Sequence, residues 1–474
     1  MGQASKGRGG FEPATPPTPA RHPVPLPAAL SAGARRPSRD VDEPAVEPPA
    51  AAVVVATSGG TRTAHPRALR RVGGVTLLER AVRVLRAAGV ERVVVVVGQR
   101  GEEVTTAIRE LRLPVEVVHD PQWADGTAGS VLAGLAVVDD ERCLVVMGDH
   151  VFDPDDVRRL RYAPGRTVLA VDRDTRRQVG GLGGLPPARV RIGADGQVRA
   201  LGRDLAENDA VSAGLTVVHL GDLREALAGR ADVSTWVEAR QAMIESGCEL
   251  RTSDVGGFWA DVQARDDVRA LERAMWRRYG PKPTDGIVNR LFTRRISGPL
   301  TRLLLRTGMT PDLATVLAFT VTLAAAALVA TGNRWLLLAG GLGIVLGFAL
   351  DGVDGELARV SGRASRRGAV LDTLLDRYAD LAVVLALVLA AGGSRSAWEW
   401  GFAAGAGCLL VSYIHAVGRD TDVRLLFRRE FRLLIFAVAA IAGVPLWGVA
   451  AVALAANVDV VRGVVLLLRA MRTG

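Results

Sequence analysis

The sequence contains little lysine and little cysteine, and each shortage restricts the kinds of site that it can build. Lysine occurs at two positions, Lys6 and Lys282, so arginine carries nearly all of the positive charge behind the net charge of +9. The three cysteines, Cys143, Cys248 and Cys408, are far apart and do not form the closely spaced pairs of zinc or dithiol sites. We therefore expect ordinary buried thiols, and arginine wherever a cation is needed.

Residues 1–50 lack both a periodic apolar pattern and the compact apolar run of a signal peptide. They hold 11 of the 23 prolines, and such a segment cannot bury enough surface to offset the entropy lost on folding. We predict a disordered Pro/Ala-rich tail.

The arginines elsewhere cluster beside apolar runs, which favours phosphate-bearing substrates and membrane lipids as partners over nucleic acid.

The rest of the chain divides into regions of different pattern, as its length leads one to expect. Residues 51–280 combine short apolar runs with polar helical segments, which predicts a cytosolic α/β domain with a doubly wound sheet. Residues 281–310 alternate basic and apolar residues at roughly helical spacing and predict an interfacial linker helix along the membrane surface. Residues 311–474 are dominated by long apolar runs and predict an all-α membrane domain.

Hydropathy predicts six transmembrane helices in this last region. The expected spans are roughly 312–331, 335–350, 378–393, 397–417, 431–446 and 449–468. Arginines are concentrated before the first span, between the second and third, and between the fourth and fifth, whereas the opposite loops hold little more than Arg334 and Arg395. The positive-inside rule then predicts a multi-pass cell-membrane protein whose N-terminal domain and Arg-rich loops are cytoplasmic.

Between the second and third spans the chain reads DGVDGELARVSGRASRRGAVLDTLLDRYAD, residues 351–380. Asp351 and Asp354 are three residues apart and Asp372 and Asp376 are four apart, so each pair shares one face of a helix. A carboxylate in a bilayer costs about 2.5–3.5 kcal/mol, so four of them need a compensating cation or water. Facing helices would make a site for Mg²⁺ (or Mn²⁺). A cytoplasmic loop of solvated acids and arginines is the alternative.

These residues match DxxDGxxAR(x8)GxxxDxxxD at every fixed position, which resembles the signature of the CDP-alcohol phosphotransferase family. The resemblance covers about residues 284–470 and implies that a CDP-linked alcohol reacts with an acceptor hydroxyl to give a phosphodiester and CMP. It also suggests a homodimer through the membrane domain. The implied metal ligands are Asp351, Asp354, Asp372 and Asp376, of which Asp376 is also the implied catalytic base. The implied CDP-binding residues are Gly355, Ala358, Arg359 and Gly368.

A further basic stretch, RDTDVRLLFRREFRLL, lies in the next cytoplasmic loop. Arg428, Arg429 and Arg432 are candidates for binding a phosphate on the acceptor. The same arginines would equally serve to orient the protein or to contact lipid headgroups, and the sequence leaves these possibilities open.

In the α/β region, two acids are expected at ligand-binding positions. CLVVMGDHVF predicts a strand followed by Asp149, and the carboxyl ends of strands are where open α/β sheets bind ligands. GFWADVQARDDVRAL offers Asp261 just before a helix. Two acids from separate loops would hold one Mg²⁺ against a triphosphate. A Gly-rich loop after the apolar run 52–56 completes a strand–loop–helix–strand unit.

These segments resemble the sugar-phosphate nucleotidyltransferase family over about residues 51–275. The implied nucleotide-binding and catalytic positions are Ser58, Gly59, Gly60 and Arg62 of the loop, Arg67 of HPRAL, Gly126 of GTAGS and Arg203 of ALGRDL, with Asp149 and Asp261 as metal ligands. Three of them depart from the family pattern. Ser58 stands where a loop glycine is expected, and Arg67 and Arg203 stand where lysines are expected, although arginine and lysine are not equivalent at phosphates.

Together the two regions resemble the bifunctional enzymes that make CDP-inositol and then di-myo-inositol phosphate phosphate. That family joins a CTP:inositol-1-phosphate cytidylyltransferase to a CDP-alcohol phosphotransferase, and fusion raises the local concentration of the CDP intermediate. CTP, a phosphorylated alcohol and a CDP-alcohol are then the implied substrates. The alternatives are a lipid acceptor, a different alcohol or a phosphonate, with an N-terminal domain that is inactive or that senses nucleotide.

Overall fold

The computed structural model describes residues 47–57, 65–174, 186–230, 232–280, 294–418 and 425–473. All but the last four residues of the predicted tail 1–50 therefore lie outside the described residues. The strands are β1 Ala51–Val55, β2 Arg71–Val72, β3 Val75–Thr76, β4 Arg92–Val97, β5 Glu116–His119, β6 Arg142–Met147, β7 His150–Phe152, β8 Thr167–Asp172, β9 Arg189–Ile192, β10 Val198–Gly202, β11 Ala210–His219, β12 Leu250–Asp254 and β13 Trp259–Asp261.

The helices fall into a first group within the α/β region and a second group that follows it. The first group is α1 Leu77–Ala87, α2 Gly101–Glu110, α3 Thr127–Leu135, α4 Pro154–Arg161, α5 Leu220–Leu227, α6 Trp236–Glu245 and α7 Arg265–Tyr279. The second group is α8 Arg294–Thr307, α9 Pro311–Ala330, α10 Arg334–Ser361, α11 Arg366–Ala390, α12 Arg395–Val417, α13 Arg429–Ala442 and α14 Pro445–Thr473.

The α/β region is built on a mixed sheet with β1 at its centre. β1 pairs in parallel with β4 on one side and with β6 on the other, which confirms the predicted strand–helix–strand unit. The valine runs of β1 and β4 are buried, as expected of strands covered by helices on both faces. β11 pairs antiparallel with β6, so the sheet is mixed, and its main path is β10-β9-β11-β6-β1-β4-β5.

Helices cover the two faces of this sheet and bury separate apolar clusters. One cluster includes residues of α1, α2 and α4, and the other includes residues of α3, α5 and α6. Local signals place the helix starts: the Thr76 hydroxyl accepts from the Glu79 amide at the start of α1, and Asp153 caps α4. The carboxyl ends of β1 and β6 therefore lie between the two layers of helices.

Of the helices that follow, α9, α10, α12 and α14 are long and apolar enough to cross a membrane. α10 runs on into the acidic segment, as the sequence predicts, and ends at Gly362, whose φ of 68° is the left-handed conformation that glycine adopts readily. α11 carries several charged residues, and α13 has 14 residues, about 21 Å of helix against about 30 Å of hydrocarbon. The described chain thus contains four candidate spans; crossing by α11 and α13 stays a prediction.

Glycines let α10 approach its neighbours closely. A Cβ at Gly347 would lie 2.2 Å from the Thr322 hydroxyl on α9, and one at Gly340 would lie 2.7 Å from the Ala325 carbonyl oxygen. On another face, a Cβ at Gly341 would come 2.9 Å from the Ala437 carbonyl oxygen of α13. Close backbone approach at small residues is typical of helix pairs in membranes, and here it fixes the helix that bears Asp351 and Asp354.

The C-terminal end of α10 packs on the α/β region. Arg80 of α1 donates to the Val360 carbonyl at 3.2 Å, and Arg363 pairs with Glu79 at 3.0 Å. At 28 residues, or about 42 Å, α10 is longer than the hydrocarbon thickness, which leaves its last turns free for such contacts. One apolar cluster contains residues of β7, β13 and α7 together with residues of α10, so the two halves share a core.

The Glu79 carboxylate is expected to hold this junction together. It is buried and lies between Arg83 and Arg363, 2.6 and 3.0 Å away, so Glu79→Gln leaves two guanidinium groups facing one amide. Both arginines are partly exposed, and with that screening we expect a loss of about 1–3 kcal/mol in the free energy of unfolding. The measurement is the midpoint of chemical unfolding in detergent. Glu110→Gln, at an exposed position of α2, is the matched control, and equal midpoints for both variants would contradict the assignment.

Candidate active sites

The first candidate site lies at the carboxyl end of β6. Asp149 follows this strand, and the antiparallel pairing of β7 with β13 places His150 opposite Asp261. A ligand atom from each of Asp149, His150 and Asp261 lies within 4.8 Å of the others. The predicted convergence of Asp149 and Asp261 therefore occurs in the structure, and His150 joins them.

His150 is tightly enclosed in this group. Its Nδ1 lies 2.8 Å from an Asp149 oxygen, its ring stacks near Trp259, and a Cβ at Gly214 would lie 2.5 Å from its Cδ2. Burial lowers the pKa of His150, but Asp261 and Asp149 outweigh burial and raise it above the ordinary value. Burial also raises the pKa of Asp261. The sequence analysis did not predict a role for His150. Its position next to Asp149 was the available signal, and that position alone does not indicate a ligand.

Several residues expected at the nucleotide site occupy the same edge of the sheet. Arg67 places Nη1 3.6 Å from Asp149, so it meets the acid cluster directly. Gly126 precedes α3 with a φ of 132°, and a Cβ there would overlap the Ser234 carbonyl. Arg203 follows β10 and is exposed. The loop residues Ser58, Gly59, Gly60 and Arg62 lie outside the described residues.

The second candidate site lies where α10 and α11 meet. Asp351, Asp372 and Asp376 each offer a carboxylate oxygen, and the three oxygens lie within 4.8 Å of one another. Asp372 and Asp376 share a face of α11, as their spacing predicts. The fourth predicted ligand, Asp354, is turned differently: it is buried, and a carboxylate oxygen accepts a hydrogen bond from the Thr315 hydroxyl of α9.

Arg429 inserts its guanidinium group into this acidic cluster. Its Nη1 lies 2.9 Å from oxygens of both Asp351 and Asp376, and its Nε lies 3.0 Å from Asp380. Arg432 is buried, donates to the Cys408 carbonyl at 2.7 Å and lies 3.4 Å from Asp380. Both arginines were candidates for binding an acceptor phosphate, with orientation of the protein and headgroup contact as the open alternatives. The structure pairs them with acids, which compensates charge within the helical bundle.

Asp380 and Arg428 complete the surroundings of this cluster. Asp380 is buried between the two guanidinium groups of α13, although the signature pattern does not include it. Its position four residues after Asp376 was the available signal. Arg428 directly precedes α13 and is exposed. It therefore stays the most accessible of the three predicted arginines.

The remaining signature residues line the end of α10 that meets the α/β region. Arg359 donates from Nε to the Tyr279 carbonyl at 2.8 Å and from Nη2 to the Gly280 carbonyl at 2.9 Å. A Cβ at Gly355 would lie 3.1 Å from Arg359 Nη1. Ala358 is half-buried beside them, and Gly368 lies in the first turn of α11. Three of the four predicted CDP-binding residues, those on α10, thus border the junction between the two halves.

Both acidic clusters fit a divalent cation. Oxygens on opposite sides of one Mg²⁺ are about 4.2 Å apart. The ligand atoms of each cluster lie within 4.8 Å of one another, so one cation can reach all of them. In the α/β region, a buried Asp261 oxygen has no hydrogen-bond partner among the described residues, which suits a ligand position. In the helical region, three carboxylates supply the all-oxygen donor set that Mg²⁺ prefers. A cation bound there would take over part of the pairing that Arg429 provides.

Fold and sites together define a two-domain transferase. Residues 52–242 match the family model described as a MobA-like NTP transferase domain, and residues 308–461 match the model described as a CDP-alcohol phosphatidyltransferase. These matches place a nucleotidyltransferase domain before a CDP-alcohol phosphotransferase domain in one chain.

Curated relatives match this chain over most of its length or over one part of it. A bifunctional IPC transferase and DIPP synthase of Rubrobacter xylanophilus is 38% identical over 435 residues, covering 88% of this chain and 96% of the relative. One from Aquifex aeolicus is 29% identical, covering 76% and 82%. A phosphatidylinositol phosphate synthase of Mycobacteroides abscessus is 35% identical over 168 residues, covering 33% and 73%. The chain belongs to the family of bifunctional IPC transferases and DIPP synthases.

Proposed function

We propose that this chain makes CDP-inositol from CTP and inositol 1-phosphate at the Asp149–Asp261 cluster and releases pyrophosphate. The helical domain then transfers the inositol phosphate group to a hydroxyl of an inositol phosphate acceptor and releases CMP. Two separate carboxylate clusters, one in each of two different transferase domains, are the observation that carries this proposal. The proposed bounds are a tail at 1–50, the cytosolic domain at 51–280, a linker at 281–310 and the membrane domain at 311–474.

In the second reaction, residues of α10 and α11 bind the metal, accept a proton and bind the CDP group. Asp351, Asp372 and Asp376 would hold the metal, and Asp354 would join them once its carboxylate turns away from Thr315. The bound cation would neutralise the pyrophosphate of the CDP-alcohol. Asp376 accepts the proton of the acceptor hydroxyl as the new phosphodiester bond forms. Gly355, Ala358, Arg359 and Gly368 bind the CDP group. Arg428, the exposed member of the three arginines, binds the acceptor phosphate. Arg429 and Arg432 hold the acids of the cluster in place.

In the first reaction, Arg67 and the Gly-rich loop bind the triphosphate beside the acid cluster. The contact of Arg67 with Asp149 supports a role at the reacting phosphate, even though lysine is the residue that the resemblance leads one to expect. Asp149 and Asp261 would hold Mg²⁺ (or Mn²⁺), Gly126 borders the base, and Arg203 binds the phosphate of the second substrate.

The proposed location is the cell membrane, with six helices crossing it and both sites on the cytoplasmic side. Exposed tryptophans support a membrane boundary at one end of the bundle. Trp335, Trp398 and Trp447 lie near the starts of α10, α12 and α14, at the opposite end of these helices from the acidic cluster. Tryptophan is enriched at both membrane interfaces, so these residues mark the boundary away from the cluster. A homodimer through the membrane domain is part of the same proposal.

The test uses full-length protein in detergent with Mg²⁺, CTP and inositol 1-phosphate, and follows pyrophosphate, CMP and the masses of the products. We expect both leaving groups and an inositol phosphodiester. Chelation of divalent cations should stop both releases, because each site needs a cation to offset phosphate charge. If CTP and inositol 1-phosphate give neither leaving group, CDP-inositol is supplied directly. CMP release from it would then show a silent α/β domain, and no CMP release would show a different alcohol.

The similarity to a phosphatidylinositol phosphate synthase favours a second candidate, a CDP-alcohol phosphotransferase that uses a lipid substrate. That relative matches about a third of this chain. The same experiment with a lipid CDP-alcohol or a lipid acceptor separates the two candidates. A product that contains the lipid, with none formed from CDP-inositol and inositol phosphate, would overturn the main proposal.

A further inference from the structure

Arg240 of α6 is a buried cation without an acidic partner in the part of the chain that the structure describes. Its side chain is 3% exposed and lies over the Trp236 ring, 5.4 Å from the ring centre. Nε donates to the Trp236 carbonyl, and Nη1 donates to the hydroxyls of Ser212 and Thr216, each at 3.2 Å. Among the described residues, no carboxylate pairs with Arg240 and no group accepts from Nη2. Such a cation is costly unless an anion compensates it.

The position of Arg240 is next to the first candidate site. β11 runs antiparallel to β6 with Leu215 opposite Val146, so the part of β11 that holds Ser212 lies beside the carboxyl end of β6, where Asp149 follows. The β11 backbone also closes against the acid cluster, since a Cβ at Gly214 would touch the His150 ring. Arg240 therefore contributes its charge at the level of the cluster, from inside the domain.

Arg240 and Arg67 reach the site from opposite faces of the sheet. The segment of Arg67 leads into α1, which packs in one apolar cluster, whereas α6 packs in the other. Asp149 lies at the strand end between these layers. Because Arg67 and the Gly-rich loop are on the triphosphate side in the proposed function, Arg240 is on the side from which a second substrate must approach.

A second arginine adds charge on the same side. Burial and then the nearby Arg203 lower the pKa of Arg240 to about 9, so the two guanidinium groups are close enough to repel one another. A dianionic group that binds between or beside the two cations offsets the repulsion between them. A phosphomonoester is such a group, and a neutral alcohol is not.

We propose that Arg240 binds the phosphate of the second substrate and makes the α/β domain specific for a phosphomonoester. This inference rests on the proposed function. A non-bridging oxygen of the monoester forms a bond to the α-phosphorus of CTP. The bond from that phosphorus to the oxygen bridging to the β-phosphorus breaks, and its electron pair leaves with pyrophosphate. Arg240 holds the attacking group at this phosphorus and takes no proton.

The test compares Arg240→Met and Arg240→Lys with the exposed control Arg224→Met on α5. We expect Arg240→Met to raise the KM for inositol 1-phosphate roughly 10- to 100-fold, which is the effect of losing a hydrogen bond between charged groups. The KM for CTP should stay within about threefold of the wild-type value. Arg240→Lys keeps the charge and should be intermediate. Equal rises in both KM values, or a lower melting temperature with both KM values unchanged, would show a merely structural role.

A second measurement does not depend on inositol 1-phosphate being the substrate. Inorganic phosphate is titrated calorimetrically into the full-length wild type, Arg240→Met and Arg240→Lys with Mg²⁺ present. We expect at least tenfold weaker phosphate binding by Arg240→Met, with partial recovery in Arg240→Lys. If wild type releases no pyrophosphate with inositol 1-phosphate, the proposed substrate is wrong and this titration still decides the role of Arg240. Equal phosphate affinity in all variants, or none in wild type, overturns the inference.

Discussion

Asp376→Asn is expected to abolish CMP release from supplied CDP-inositol and to leave pyrophosphate release from CTP unchanged. The amide keeps the shape of the side chain but cannot accept the proton of the attacking hydroxyl, a contribution of roughly 10²- to 10⁴-fold. The substitution also removes one of the three oxygens that converge between α10 and α11, which weakens cation binding. The measurement is the rate of CMP release, with pyrophosphate release as the internal check on folding.

A matched control exists within the same domain. Glu399 of α12 is an exposed acid that pairs with Arg395, at the opposite end of the bundle from the cluster. Glu399→Gln changes a carboxylate to an amide in the same way and should leave both releases unaltered. Normal CMP release by Asp376→Asn would show that Asp376 is neither the base nor an essential ligand.

Asp261→Asn is expected to have the reciprocal effect. Asp261 presents a buried oxygen without a hydrogen-bond partner in the described chain, and the amide removes the negative charge at that point. Loss of a cation that stabilises several kcal/mol of phosphate charge lowers pyrophosphate release by on the order of 10³-fold. CMP release from supplied CDP-inositol should persist, because the Asp351–Asp372–Asp376 cluster is unchanged.

Asp266→Asn provides the comparison for this variant. Asp266 lies five residues further on, in the first turn of α7, and its side chain is 83% exposed. It should release pyrophosphate at the wild-type rate. If Asp261→Asn stopped both reactions, the shared apolar core between β13 and α10 would be implicated, and independence of the two sites would be wrong.

Much of the fold was predictable from local pattern. The buried valines of β1 and β4 and the Gly-rich loop predicted parallel strands joined by a helix, and the pairing of β1 with β4 confirms this unit. The apolar runs predicted the long helices, and the capping residues mark their starts, as Thr76 does for α1. Such features depend on residues within a turn or two of each other, so sequence spacing is enough to read them.

The arrangement of the second site was less predictable. Four aspartates were expected to converge, and the structure brings three oxygens together while Asp354 accepts from Thr315, 39 residues earlier. Arg429 was one candidate for a substrate contact, and it lies between Asp351 and Asp376. Which side chain meets which depends on how α9, α10, α11 and α13 pack, and the spacing within one helix carries no information about that packing.

By itself, the sequence determined which residues share a face of a helix or strand and which segments are apolar enough to be buried in a core or a membrane. The i,i+3 and i,i+4 acids of α10 and α11, and the acids that follow β6 and end β13, are set by helical and strand periodicity. Tertiary structure alone decided the long-range partners: Glu79 with Arg363, 284 residues apart, and Arg240 with the hydroxyls of β11. Packing removes these polar and charged side chains from water. Because a buried charge without a partner is unfavourable, each one lies against a group that pairs with it.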